Sequence, residues 1–260
     1  MSRICPLFSG SSGNCTYIGQ GDAHILIDVG VSAKRICQRL GEIGVDFRQI
    51  SAIFITHEHN DHIKGLETLT KKYKLHIYMS QGTADAISEF CSEGVKNNIK
   101  IIDKVIRVEG IEVLRFPTSH DCVDSSGYRI NLGERSFAIC TDTGIVTDEI
   151  RKNLEGCELV LLESNHDLNM LRMGPYPLHL KRRILADDGH LSNVSCANEL
   201  PNLVKKGTMR FILGHLSRQN NTDDSAYNEA NTALNLAGFT EGFDYILYIA
   251  PPEGGKLISL

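Results

Sequence analysis

Residues 56–62, Thr-His-Glu-His-Asn-Asp-His, place three imidazoles and two carboxylates within seven positions. They directly follow an apolar, β-branched stretch, which predicts a buried strand ending at the first histidine. Side chains alternate along an extended chain, so His57 and His59 point the same way and can share one cation, while Asp61 and His62 in the following turn can bind a second. A solvated loop is the alternative, but protonated histidines packed this closely would repel one another. The spacing therefore predicts ligands for two metal ions.

Three polar residues elsewhere in the chain each close an apolar run, and they could complete such a centre. His120 ends residues 113–119, Asp142 follows residues 137–141, and His215 follows residues 211–214. A polar residue after an apolar strand often marks only a turn. If residues 57–62 bind two metals, however, further ligands must arrive from the ends of other strands, and these three fit that need.

The elements that would position these residues follow a pattern of short extended runs alternating with helical spacing. In each half of the chain a β-rich stretch precedes a helical one, which predicts two sheets packed face to face with helices outside. Gly133-Glu134 predicts a hairpin turn, Ser192 a helix start and Gly238 a helix end. The predicted strands are 15–18, 24–27, 50–55, 75–79, 112–116, 128–132, 136–141, 159–162, 211–213 and 245–249, and the predicted helices include 32–40, 83–91 and 226–236.

Size and composition predict one α/β domain spanning residues 1–260. The chain is 42% hydrophobic, long enough to bury a substantial core, and has no linker or low-complexity tract. Its eight cysteines include no CxxC pair, so reduced and mostly buried thiols are expected. No stretch is long enough to span a membrane and no apolar leader begins the chain, so we expect a cytoplasmic protein.

The net charge of −5 argues mildly against a protein coated with basic residues for nucleic acid. Local basic clusters occur at 71–74, 181–183 and 205–206. Such clusters are more often solvated helix faces than phosphate tracks.

The motifs together resemble the metallo-β-lactamase fold superfamily over nearly the whole chain. The matching positions, in order, are Asp28 at a strand end, His57-x-His59-x-Asp61-His62, His120, Asp142 and His215. Within that superfamily the chain resembles the YycJ/WalJ/VicX branch, through five separate strings. They are SGSSGN at 9–14, TDTG at 141–144, ESNHD at 163–167, GHLSN at 189–193 and GHLS at 214–217.

This resemblance implies a four-layer αββα sandwich, an α/β fold of two mixed sheets with helices outside, and a centre of two divalent metal ions. His57, His59 and His120 would bind the first ion, Asp61, His62 and His215 the second, and Asp142 would bridge them. Imidazole-rich sites suit zinc, while mixed histidine and carboxylate sites also admit manganese or iron. A hydroxide shared by the two ions would attack the substrate, with Asp61 orienting it. Such a centre carries a local charge near +1 and attracts an anion such as a phosphodiester.

Four further residues are candidates for roles around the metals. His190 is the candidate general acid, because the leaving alkoxide needs a proton, although a structural loop histidine is the alternative. His166 could contact substrate or could simply pack before a helix that begins at Asp167. Ser12 could offer a donor to a phosphate, or belong to an ordinary Gly/Ser turn. Asp28 could orient a ligand imidazole or cap the helix near Ser32.

The resemblance implies metal-dependent phosphodiester hydrolysis, with 5′ to 3′ exonuclease action on DNA as the expectation. Only 47 residues separate Asp142 from His190, too few for the cap domain of the β-CASP nucleases. No tRNA-clamping arm or helical C-terminal extension is evident, which disfavours ribonuclease Z and glyoxalase II types. Two alternatives stay open: a small-molecule or cyclic phosphodiesterase, and a non-catalytic metal-binding regulatory protein. DNA is the expected partner, and no protein partner is predicted.

Overall fold

The structure, a computed structural model, describes residues 2–260 and contains fourteen strands and ten α-helices within them. The strands are β1 (Ser2–Phe8), β2 (Cys15–Gln20), β3 (Ala23–Ile27), β4 (Ala52–Phe54), β5 (His76–Met79), β6 (Ile99–Ile101), β7 (Val105–Val108), β8 (Ile111–Pro117), β9 (Ser126–Leu132), β10 (Arg135–Cys140), β11 (Leu159–Glu163), β12 (Arg210–Gly214), β13 (Ile246–Ile249) and β14 (Ile258–Ser259). The helices are α1 (Ala33–Glu42), α2 (Asn60–Ile63), α3 (Leu66–Lys72), α4 (Gln81–Ser88), α5 (Glu93–Lys96), α6 (Asp148–Leu154), α7 (Leu168–Met173), α8 (Leu178–Ile184), α9 (Asn193–Lys205) and α10 (Asp223–Leu236).

These strands form two mixed sheets of seven strands each, with helices around them, which confirms the predicted fold class. The first sheet has the order β14-β1-β2-β3-β4-β5-β6 and the second the order β13-β12-β11-β10-β9-β8-β7. Every residue of β3 and of β11 is buried, and each of these strands pairs in parallel with a neighbour. Continuous apolar runs are typical of strands in parallel sheets, which are covered on both faces.

Two compact units divide the chain. The first comprises residues 2–115, 122–126 and 251–260, and the second comprises residues 116–121 and 127–250. Each has its own apolar core, which includes Leu26 and Ile53 in the first unit and Val160 and Leu213 in the second. The assignment of residues 1–260 to a single domain stays a prediction.

Two further features of the structure concern membrane-spanning helices and cysteines. Across residues 2–260, no helix combines the length and the apolar character that crossing a membrane requires. All eight cysteines are free thiols, and five of them are buried.

Polar residues leave the carboxyl ends of neighbouring parallel strands at the same edge of each unit. In the first unit Ile27 of β3 is in register with Phe54 of β4, so Asp28 emerges beside the segment that begins at Ile55. In the second unit β10, β11 and β12 run parallel, with Cys140 opposite Leu162 and Glu163 opposite Gly214. Asp142, Glu163 and His215 therefore leave the second sheet at one edge, where open α/β sheets bind ligands.

The structure contains most of the predicted elements and several that the sequence did not predict. The β9–β10 hairpin turns at Gly133, whose φ of 64° lies in the left-handed region that glycine adopts without strain. The helices α5, α6 and α8 and the strands β1 and β14 were not predicted, and neither were the strands β6 and β7. The strands β6 and β7 are short, lie at sheet edges and are largely exposed, so they lack the apolar pattern of a buried strand.

Candidate metal centre

The segment between β4 and α2 gathers four candidate ligands within the first unit, and we call His57, His59, Asp61 and His62 the first donor cluster. His57 and His62 are fully buried, and their ring centroids lie 4.1 Å apart. The ring of His59 is 4.6 Å from that of His57. Oδ2 of Asp61 lies 3.7 Å from Nε2 of His62, a separation that one shared cation can span. The short turn thus brings together the pairs that its spacing predicted.

Asp28 and Thr56 fix the orientation of two imidazoles in this cluster. Nδ1 of His62 lies 2.8 Å from Oδ2 of Asp28, and since a carboxylate only accepts, that nitrogen carries the proton. The Thr56 hydroxyl donates to the same carboxylate, so its oxygen can accept from Nδ1 of His57 at 3.0 Å. Both rings therefore keep the lone pair on Nε2, the arrangement in which a histidine ligates a metal through Nε2.

Asp28 does not cap a helix, because Ser32 occupies the N-cap position of α1. Its carboxylate instead accepts bonds from the Thr56 amide at 2.9 Å and from His62. Of the two alternatives for Asp28, the contacts match the one in which it orients an imidazole.

The Gly/Ser turn at residues 9–14 packs onto the backbone of Asp61. The amide of Asn14 donates to the Asp61 carbonyl, and the amide of Gly30 donates to the Asn14 carbonyl, both at 2.8 Å. A Cβ atom on Gly30 would lie 1.6 Å from the Asp61 carbonyl oxygen, so this close approach requires glycine. The Asn14 side-chain amide also lies 3.0 Å from Nε2 of His62, consistent with a lone pair there. Ser12 sits exposed at the tip of this turn.

The second unit contains its own donor cluster, formed by His120, Asp142, Glu163, His190 and His215. Oδ1 of Asp142 lies 3.5 Å from Nδ1 of His215, 3.7 Å from Nε2 of His120 and 3.9 Å from Nδ1 of His190. Ligand atoms of Asp142, Glu163, His190 and His215 all lie within 4.8 Å of one another. This second donor cluster is buried apart from a small exposed part of His190.

Glu163 is the acceptor around which the second cluster is arranged. Its Oε1 lies 2.8 Å from Nδ1 of His190 and 2.8 Å from Nδ1 of His215, while its Oε2 accepts from the Thr143 amide at 2.9 Å. Burial alone would raise the pKa of this carboxyl, but the two imidazoles outweigh burial and hold the pKa far below its usual range. Glu163 is therefore an anion that holds the protons of two imidazoles on Nδ1.

The pKa values of His190 and His120 in this cluster are shifted in opposite directions. Burial is the largest influence on His190 and lowers its pKa, but the Glu163 carboxylate reverses that effect and the net pKa is raised. Burial lowers the pKa of His120, which is therefore neutral at pH 7 and suited to ligation. The Nδ1 atom of His120 donates to the Gly189 carbonyl at 3.0 Å, which leaves the Nε2 lone pair on the other side of the ring.

Asp28 beside the first cluster and two residues of the second cluster adopt left-handed backbone conformations, each just after a strand. The φ angles are 60° for Asp28, 57° for Asp142 and 56° for His215. A positive φ is uncommon outside glycine and costs energy, although Asp and His tolerate it better than most residues. Such strain is concentrated at functional sites, where the side chain must point in a direction that regular backbone does not provide.

His166 lies at the start of the loop that follows Glu163 and is only 1% exposed. Asp167, not His166, is the N-cap of α7, and it accepts from the amides of Asn169 and Met170. Among residues 2–260, neither ring nitrogen of His166 has a hydrogen-bond partner. Burial lowers its pKa to about 4, so the ring is neutral at pH 7.

Glu163, Thr56 and Asn14 have contacts that the sequence reasoning missed. Glu163 closes the apolar run of β11 as Asp28 closes β3, and that signal could have identified it. Thr56 gives no comparable signal, because its hydrogen bonds to His57 and Asp28 depend on how β3 and β4 pair.

The donor chemistry of both clusters fits divalent metal ions. Each cluster combines buried imidazoles whose Nδ1 is held by an acceptor with at least one carboxylate, which is the ligand set of zinc, manganese and iron sites in proteins. The geometry is compatible with divalent metal binding without selecting one metal.

Comparison with known proteins gives a consistent result. A family model described as the β-lactamase superfamily domain matches residues 23–215. Exodeoxyribonuclease YycJ of Bacillus anthracis is 35% identical over 250 residues, covering 95% of this chain and 94% of the relative. Exodeoxyribonuclease WalJ of Streptococcus pneumoniae is 36% identical over 251 residues, covering 95% of this chain and 93% of the relative.

Solved structures share the fold. The metallo-β-lactamase fold protein YhfI from Bacillus subtilis matches with a TM-score of 0.73 and 16% identity, covering 99% of this chain and 98% of that one. At that identity the likeness concerns the architecture alone.

Proposed function

This chain belongs to the β-lactamase superfamily and is a hydrolase of the metallo-β-lactamase fold, and on that premise we propose that it is a metal-dependent 5′ to 3′ DNA exonuclease. Two relatives that are 35–36% identical over nearly the whole chain are named exodeoxyribonucleases, which supports nucleic acid as the substrate. The DNA preference and the polarity are the finer parts of the proposal.

The ligand set that we propose joins the two donor clusters into one centre of two metals. His57, His59 and His120 would hold one ion, Asp61, His62 and His215 the other, and Asp142 would be shared by both. The observation that carries this assignment is the anchoring of Nδ1: His57 on Thr56, His62 on Asp28, His120 on Gly189 and His215 on Glu163. Four imidazoles so held direct Nε2 towards a metal. When bound, two divalent ions supply a nucleophile at neutral pH and stabilise charge on the phosphoryl oxygens.

His190 donates the proton that the departing alkoxide requires. Its Nδ1 is held by Glu163, and the same carboxylate raises the pKa of the ring against the effect of burial, which favours the protonated form with Nε2–H available to a leaving oxygen. The ring is partly exposed, whereas His120 and His215 beside it are buried, so a substrate can reach it.

Asp61, Ser12 and His166 complete the proposal. Asp61 orients the attacking water, and its backbone is fixed by Asn14. Ser12, exposed on the same turn, offers a hydroxyl to a substrate phosphate. We assign His166 to a substrate contact because neither of its ring nitrogens has a partner within residues 2–260. His166→Ala should raise KM while leaving metal content unchanged.

The proposed function is tested by supplying Mn²⁺ or Zn²⁺ to the metal-free protein with linear duplex DNA labelled at one end. A 5′ to 3′ exonuclease releases a 5′ label as short products from the first turnovers, while a 3′ label stays on long products. The variants His57→Ala and Asp142→Asn should lose activity by more than about 100-fold. His76→Ala, at an exposed histidine of the first unit, is the matched control and should keep it.

Three other results would each contradict part of the proposed function. Turnover of bis-p-nitrophenyl phosphate without DNA cleavage would indicate a small-molecule phosphodiesterase. Cleavage of closed circular DNA at the same rate would indicate an endonuclease. No turnover of either substrate with either metal would indicate a metal-binding protein that lacks catalysis.

A further inference from the structure

Helices α7 and α8 expose a surface that mixes cations with apolar side chains, and we call it the α7–α8 surface. Met173 is 88% exposed, Leu178 62% and Leu185 44%. The members of this surface are Arg172, Met173, Tyr176, Leu178, Arg182 and Leu185.

One face of α8 carries an alternation of apolar and positive side chains. Leu178, Arg182 and Leu185 are spaced four and three residues apart, so they line up along one side of the helix. Ile184 is the buried residue of α8 and anchors the opposite side. A face with two exposed leucines around an arginine differs from the usual solvated face, which is polar throughout.

Contacts between the two helices hold this surface in a defined shape. The Lys181 ammonium donates to the Arg172 carbonyl at 2.7 Å, which ties α8 to the end of α7. Gly174 donates to the Met170 carbonyl at 2.7 Å, and a Cβ there would lie 2.6 Å from that oxygen. The turn between the helices therefore requires glycine and leaves little freedom to rearrange.

The α7–α8 surface is connected to the second donor cluster within the same unit. The Arg183 guanidinium bonds the carboxylate of Asp121, the neighbour of His120. The amide of His190 donates to the Ile184 carbonyl at 3.0 Å, and the Gly189 carbonyl accepts from His120. The last turn of α8 is thus hydrogen-bonded to the backbone of His190 and to the neighbour of His120, which places this end of the helix next to the second donor cluster.

We propose that the α7–α8 surface binds the single-stranded end of the DNA substrate, an inference that rests on the proposed function and adds the element that guides the polymer. In the described part of the chain, Arg172 and Arg182 form no ion pair, so their charges are available to phosphates. Tyr176 and the exposed Met173, Leu178 and Leu185 provide apolar surface for base faces, the combination that single-strand binding proteins use. An α-helix of seven residues is about 10 Å long and spans about three phosphates of one strand.

The decisive experiment compares the double variant Arg172→Ala/Arg182→Ala with Lys152→Ala/Lys205→Ala, which removes two exposed cations elsewhere in the second unit. For single-stranded oligonucleotides, the arginine variant should raise KM about tenfold with kcat unchanged, and metal-free anisotropy should show the same loss of affinity. The salt slope of binding should decrease by about 1.4, or about 0.7 for each phosphate contact. Turnover of bis-p-nitrophenyl phosphate, too short to reach α8, should be unchanged in both variants.

A second double variant tests how much the apolar side chains contribute to oligonucleotide binding. Met173→Ser/Leu178→Ser should lower the affinity for oligonucleotides without changing the salt slope, because apolar contacts release no counterions. For both variants the loss should grow with oligonucleotide length up to about three nucleotides beyond the scissile bond and then level off.

Four outcomes would overturn the inference. If the arginine variant bound and cut DNA as the lysine control does, the surface would not hold the strand, while the wild-type nuclease activity would still support the proposed function. If turnover of the small ester fell in parallel, the arginines would be supporting the fold of the site. If wild-type protein were a dimer that Met173→Ser/Leu178→Ser converts to monomers, a second copy would cover the surface. If metal-free wild-type protein bound no oligonucleotide, and the metal-loaded protein hydrolysed the small ester but not DNA, the surface and the DNA part of the proposed function would both fail.

Discussion

The carboxylate of Glu163 is hydrogen-bonded to the imidazole of His190, with Oε1 2.8 Å from Nδ1. The same oxygen is 2.8 Å from Nδ1 of His215, so one carboxylate orients both the proposed general acid and a proposed metal ligand. In the proposed mechanism, proton donation and metal binding therefore both depend on Glu163, which is fully buried.

Glu163→Gln should change both properties. Without the negative charge, the pKa of His190 falls, because the carboxylate is what raises it against the effect of burial. Since His190 acts in its protonated form, activity that declines as pH rises through this pKa should decline at lower pH in the variant. Metal affinity should also decrease by about 10- to 100-fold, because His215 loses its anchor. The measurement is kcat against pH at saturating metal, together with metal titration.

Glu199→Gln is the matched control for this prediction, because Glu199 pairs with Arg151 in the same unit away from the cluster. Its pH profile should superimpose on that of wild type. An unchanged alkaline limb in Glu163→Gln would remove His190 from the role of acid.

Asp28→Asn should weaken metal binding in the first donor cluster. The amide can still accept from the Thr56 backbone, but it no longer holds His62 Nδ1–H with a charge-assisted bond at 2.8 Å. We expect about 10- to 100-fold lower affinity for one of two metal equivalents, measured by competition with a chelator. Asp46→Asn, at an exposed aspartate paired with Arg48, is the control. Equal affinities for the two variants would show that Asp28 does not orient a ligand.

The left-handed backbone of His215 predicts an unusual order of stability for two substitutions. In metal-free protein, His215→Gly should be more stable than His215→Ala by about 0.5 to 1 kcal/mol, because alanine keeps the cost of a positive φ and glycine does not. At His179, within α8, the same pair should show the opposite order by about 1 kcal/mol. Urea unfolding measures both differences. Alanine being the more stable choice at 215 would show that the backbone there is not strained.

His166 should make folding stability depend on pH. Burial lowers its pKa to about 4 in the folded chain, against about 6.5 when unfolded. Between these values the unfolded chain binds a proton that the folded chain does not, so this contribution is complete above pH 6.5 and is lost as pH falls towards 4. Over that range the metal-free protein should lose about 3 kcal/mol of unfolding free energy that His166→Gln does not lose. Parallel stability curves for the two proteins would contradict the buried, neutral ring.

The sequence alone was sufficient to predict that the members of the first donor cluster lie close together, because all four fall within residues 57–62. An apolar strand followed by alternating histidines leaves few other geometries, and His57, His59 and His62 cluster as the spacing predicts. The fold class followed from the same apolar runs, since parallel strands buried on both faces carry a strong signal.

What the sequence could not provide are contacts that depend on pairing between distant strands. In the sequence Glu163 is a polar residue at the end of an apolar run. Its contact with His215 depends on the pairing of β11 with β12. The choice between two roles for Asp28 likewise required the β3–β4 register, which sets its carboxylate beside Thr56. The edge strands β6 and β7 were not predicted, because half-exposed strands of three and four residues have no distinctive hydrophobic pattern.

The central claim, that residues 57–62 and residues 120, 142 and 215 hold one pair of metals, is tested most directly by anomalous diffraction from crystals of the Mn²⁺-loaded protein. The account predicts two peaks about 3.5 to 4 Å apart, one ligated by His57 and the other by His215, with Asp142 touching both. A single peak, or two peaks too far apart for one carboxylate to bridge, would contradict it.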